Sequence, residues 1–107
     1  MPKYLVQASY TADGIRGLLE DGGSSRHDAA AELVKSLGGK IESFYFTFGE
    51  HDVVLIVDMP DHAAIVAAAG TVAGTGAMTV ADTTVLIEPE EVDEAAKRTG
   101  TYRPPGS

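Results

Sequence analysis

The chain contains no cysteine among its 107 residues. Disulfide staples, thiolate metal sites and a cysteine nucleophile are therefore excluded. Asparagine is absent as well, so there is no glycosylation sequon. Basic residues are scarce: 8 Lys and Arg stand against 16 Asp and Glu, for a formal charge of −8. That balance repels phosphate backbones and anionic lipid surfaces, so neither nucleic acid nor membrane is expected as a partner. No apolar run approaches the ~20 residues that a membrane helix needs. The start, Met1-Pro2-Lys3-Tyr4, enters a strand-like segment without an apolar signal core, and the expected location is the cytoplasm. Phosphate-loop, nucleophile-elbow and Ser-x-x-Lys patterns are missing too, so a nucleotide or serine-hydrolase site has no support.

Apolar residues make up 44% of the chain and charged residues 22%, as in an ordinary globular domain. The length predicts one domain over residues 1–99 and a flexible tail over 100–107. Lys3 to Tyr10 reads as a strand, after which Thr11 can cap a short helix ending at Gly22-Gly23. Ser24 or Ser25 then starts a second helix, in which Ala30, Leu33, Val34 and Leu37 form one apolar stripe closed by Gly38-Gly39. Two strands, Lys40 to Phe48 and Val53 to Asp58, flank the connection Gly49-Glu50-His51-Asp52. Asp61 caps an alanine-rich helix closed by Gly74 and Gly76, and a fourth strand runs from Ala77 to Ile87. Pro89 to Arg98 has proline and acids first and bases last, the charge order of a short helix.

This order predicts an α+β, ferredoxin-like βαββαβ sandwich: a four-stranded antiparallel sheet with helices on one face, plus a C-terminal helix. Strand alternation places Phe44, Phe46 and Phe48 on one face, with Ile41, Ser43, Tyr45 and Thr47 on the other. Val53 to Val57 is apolar on both faces, although a sheet with a wet side should alternate with polar residues. The second face therefore calls for a cover, either a second copy of the chain or the C-terminal helix folding back. The alanine-rich helix, apolar around most of its circumference, suggests a further contact between copies.

The segments Tyr10–Leu19 (YTADGIRGLL), Gly22–Arg26, Leu37–Phe46, Gly49–Val54 and Glu88–Val92 resemble the GYD domain family, and the likeness spans nearly the whole chain. Gly49, His51 and Asp52 occupy the positions of the Gly-x-Tyr-Asp pattern, with histidine where the family has tyrosine. The resemblance implies a ferredoxin-like domain of the dimeric α/β-barrel type. It implies no general biochemical activity.

Four residues stand out as ligand-binding candidates: Tyr10, Tyr45, His51 and Asp52. A histidine titrates near neutrality and a neighbouring carboxylate can orient it as a general base, although adjacent strand residues face opposite ways and Gly and Asp are ordinary turn formers. Tyrosines in or at the end of strands can reach into a cleft between sheet and helices, though such residues more often simply pack. Arg16 and Arg26 read as solvated or ion-paired surface residues before anion sites. The three histidines lie on different elements without metal-ligand spacing, so no metal and no cofactor is expected. These features favour a small homo-oligomeric binding protein with a small-ligand cleft between sheet and helices. The alternatives are a cofactor-independent enzyme, an isomerase or monooxygenase-like activity on a small organic substrate, and a metal or haem binder.

Overall fold

The structure is a computed structural model and describes residues 1–106; the final residue of the expected tail, Ser107, lies outside the described residues. The chain runs β1 (Lys3–Tyr10), α1 (Ala12–Asp21), α2 (Gly23–Ser36), β2 (Lys40–Phe46), β3 (Val53–Asp58), α3 (His62–Gly74), β4 (Met78–Leu86) and α4 (Pro89–Ala96). The four strands form one antiparallel sheet in the order β2-β3-β1-β4. Among the described residues no helix is long and apolar enough to cross a membrane.

Local chemistry explains most boundaries. The Thr11 hydroxyl oxygen accepts the Gly14 N–H at 3.2 Å and so starts α1, and the Asp61 carboxylate does the same for α3 through Ala64 N–H at 2.9 Å. Gly22 sits at φ +86°, a left-handed conformation that only glycine adopts cheaply, and lets the chain leave α1 and enter α2 without a linker. The second helix thus begins at Gly23, ahead of the expected serines. Before α4, Glu88 and Glu91 form a reciprocal capping box with Pro89 at the first helical position.

Two expectations about β2 need correction. The strand stops at Phe46, because Thr47 N–H donates to Asp52 O at 2.8 Å and the Thr47 hydroxyl donates to His51 O, which together close the turn early. A register shift between Ile41 and Ser43 also turns Ile41 onto the same face as Phe44 and Phe46. One extra residue inverts the alternation from that point on. Ile41 consequently packs against the core instead of facing away from it.

The helices α2 and α3 cover one face of the sheet. Tyr4, Val57 and Met59 are the largest fully buried side chains, joined by Val34, Ile65 and Ala68. At this end the packing is closed. The Tyr4 hydroxyl and His62 Nδ1 hydrogen-bond to each other. Lys3 Nζ donates to Asp58 Oδ1 at 2.8 Å, so the carboxylate, only 5% exposed, is buried with a partner. The opposite face carries Leu5, Val54 and Ile56 half-buried and Tyr45 68% exposed. Among the described residues nothing from the same chain folds over that face: every residue of α4 is exposed. The radius of gyration is 17.3 Å, against ~13 Å for a compact domain of this length. The excess reflects residues 87–106, which are exposed throughout.

Candidate ligand site

Following the sheet from Tyr4 towards Tyr10, the core opens. Ala8 pairs with Val53 and with Val80, and Tyr10 with Met78, on the helix-covered face. Ala29 and Ala30 of α2 and Ala68 and Ala69 of α3 stand over this part of the sheet. Alanine places a single methyl where leucine or phenylalanine would meet the facing element, and the space between layers stays unfilled. The result is a cavity of about 290 Å³ between sheet and helices, walled by side chains such as Val6, Leu33, Phe44 and Leu55. Such a space is a place for an occupant.

Tyr10, from the end of β1, and Arg26, from the first turns of α2, stand at the hollow end. Tyr10 is held firmly. Its N–H donates to Asp52 Oδ2 at 2.8 Å, and the following residue, Thr11, donates its N–H to Ala77 O at 2.9 Å and its hydroxyl to Gly76 O at 2.8 Å. Burial pushes the Tyr10 phenol above its ordinary value, with the Arg26 guanidinium opposing that rise, so the hydroxyl carries its proton at neutral pH. Arg26 is 40% exposed and lies 3.7 Å from Asp21, longer than a hydrogen bond.

The other candidates lie elsewhere. Asp52 spends its carboxylate on the Tyr10 amide, its N–H on Ala8 O at 3.0 Å and its carbonyl on Thr47. His51 points away from it: His51 Nε2 is 3.8 Å from Asp82 Oδ2, and Asp82 pairs with Gln7 on the sheet face remote from the helices. Neither residue lines the cavity. Tyr45 faces away from it too, opposite Val54. Of the four, the structure brings only Tyr10 to the hollow.

Sequence alone favours a solvated or ion-paired surface role for Arg26, yet it carries a signal for the cavity. Positions 26, 30, 33, 34 and 37 share one helical face, so the apolar stripe of α2 continues one turn back into the arginine. Among the described residues no group of three or more His, Asp or Glu side chains is placed to hold a metal.

A family model described as the GYD domain matches residues 4–96, which covers all eight elements except the first residue of β1. No curated protein and no solved structure matches the chain.

Proposed function

Because the chain belongs to the GYD domain family, we propose on the evidence of its own residues that it is a small homo-oligomeric binding protein which holds an apolar small molecule between sheet and helices. The observation that carries this reading is the cavity of about 290 Å³, bounded almost wholly by hydrocarbon and lying directly beside a closed core. A ligand there replaces missing protein–protein dispersion contacts and is desolvated on entry. The strand order β2-β3-β1-β4, with helices in both crossovers on one face, supports a ferredoxin-like sandwich of the dimeric α/β-barrel type.

The test is a methyl-resolved NMR titration with octan-1-ol. Shifts confined to Val6, Leu33, Leu55 and Ile65, with Val54 and Ile56 unmoved, support the site; unchanged spectra, or shifts spread over both faces, refute it.

The second copy is supported by the opposite sheet face. Leu5, Val54 and Ile56 form a contiguous apolar strip there, and no element among the described residues covers it. Face-to-face pairing of two such sheets removes that strip from water. Light scattering at micromolar concentration is expected to give about twice the 11.2 kDa chain mass, and Ile56→Glu to return the monomer. A wild-type monomer refutes the pairing. A catalytic reading would require His51, Asp52 and Tyr10 to converge on one cavity, and two of the three lie outside it.

A further inference from the structure

The cavity has a second compartment. A pocket of about 230 Å³ adjoins it, lined also by Asp13, Leu18 and Asp21. Tyr10, Arg26, Val72, Thr75 and Met78 line both spaces, so these residues form a neck between the apolar cavity and a more polar neighbouring space. The polarity of the neck is asymmetric. Thr71 and Thr75 already donate their hydroxyl protons to helix carbonyls, Ala67 O and Val72 O, each at 2.7 Å. The donors left in the walls of the interior are the Arg26 guanidinium and the Tyr10 hydroxyl. Among the described residues Arg26 is the single cationic side chain lining either compartment.

An apolar space with a guanidinium and a phenol at its mouth matches a molecule of complementary build. Resting on the reading of the hollow as a ligand site, we infer that this protein takes an apolar monocarboxylic acid, its carboxylate held at the neck by Arg26 and the Tyr10 hydroxyl and its hydrocarbon body lying along Val6, Leu55 and Ala68. The guanidinium offers paired N–H groups whose fork fits a carboxylate, and the phenol supplies a further donor. Asp21 does not occupy that fork: it approaches a single Arg26 nitrogen at 3.7 Å and is itself 49% exposed. Asp13 is paired with Arg16 on the solvent side of α1. An amine head group would meet the Arg26 charge, and an alcohol would gain the cavity but forgo the charge-assisted bonds.

The experiment compares octanoate, octan-1-ol and octylamine by calorimetric titration at neutral pH. Octanoate is expected to bind about tenfold or more tighter than octan-1-ol, the margin of a charge-assisted hydrogen-bonded pair, and octylamine weaker than both. Arg26→Ala should erase the octanoate advantage over octan-1-ol, with a cooperative thermal melt showing that the variant is folded. Tyr10→Phe should reduce the advantage several-fold, and Asp21→Asn should enlarge it. Equal affinities for octanoate and octan-1-ol, or an advantage that survives Arg26→Ala, overturn the assignment of the head group and leave the cavity as a ligand site. Failure of all three probes to bind overturns both readings.

Discussion

The Asp52 carboxylate accepts the backbone N–H of Tyr10 at 2.8 Å, joining the β2–β3 turn to the last residue of β1. The neighbouring His51 takes no part, since its ring lies on the other side of the sheet near Asp82. The most suggestive polar pair of the chain is thus divided between two faces, and the acid serves to hold the cavity's tyrosine in place. Asp52→Ala is expected to cost about 1–3 kcal/mol by leaving a part-buried N–H unpaired, and to lower Tm by several degrees in a thermal melt. Asp52→Asn keeps an acceptor oxygen and should cost less. His51→Ala should change stability by no more than about 0.5 kcal/mol and leave octan-1-ol affinity intact.

Two glycines three residues apart in α1 should respond with opposite sign. A methyl group on Gly14 would strike the Ala77 carbonyl, the same carbonyl that accepts Thr11 N–H, and neither backbone segment can give way. Gly14→Ala is therefore expected to destabilise by about 1–3 kcal/mol or more. A methyl on Gly17 meets nothing within 4 Å, and Gly17→Ala should stabilise by about 0.5–1 kcal/mol through the lower entropy of the unfolded chain. Urea unfolding of the two variants checks both signs.

Stability should decline in alkali for two identified reasons. Hydrogen bonds to Asp58 and then Glu42 hold the Lys3 ammonium above its ordinary 10.5, and burial holds the Tyr10 phenol above its ordinary 10.0. Below those ordinary values both groups are protonated in the folded and unfolded chain, and the full contribution is present. As pH rises through the folded values the unfolded chain has already released protons that the folded chain must still give up, and the contribution is lost. Urea midpoints measured from about pH 8 to about pH 11 are expected to fall. Lys3→Arg, which stays charged throughout, should flatten part of that fall, and Tyr10→Phe another part.

Filling the hollow should raise stability and abolish binding together. Ala30→Leu adds three carbons where the cavity wall now has a single methyl, for a gain of about 2 kcal/mol if the leucine finds a relaxed rotamer. Thermal melts with and without octan-1-ol should show a higher Tm and no ligand-induced shift. A variant that is more stable and still binds would place the site elsewhere.

Much of the scaffold could be read along the chain because its determinants are local. Thr11 and Asp61 cap helices three residues ahead of them, Gly22 turns the chain by its own φ, and the stripe Leu33-Val34-Leu37 needs only the helical period to face one way. Val53 to Val57 likewise declared itself covered on one side by helices and apolar on the other. The GYD likeness was carried by short segments kept in order, and the family match spans residues 4–96.

The site was another matter, because each of its parts depends on residues far apart in the sequence. Whether Ala8, Ala30 and Ala68 make a tight core or a hollow depends on the distance between three elements, and no single segment encodes that distance. One extra residue between Ile41 and Ser43 reversed a face assignment that strict alternation would give. Arg26 joined Tyr10 only once α2 had been laid over the sheet, and His51 parted from Asp52 only once β3 had taken its register against β1. Sequence alone determined the elements, their caps and their apolar faces, since these are set within a few residues by backbone geometry and hydrogen bonding. The cavity and the meeting of Tyr10 with Arg26 at its neck were decided by the tertiary structure, since volume and convergence are properties of facing layers and belong to no stretch of chain by itself.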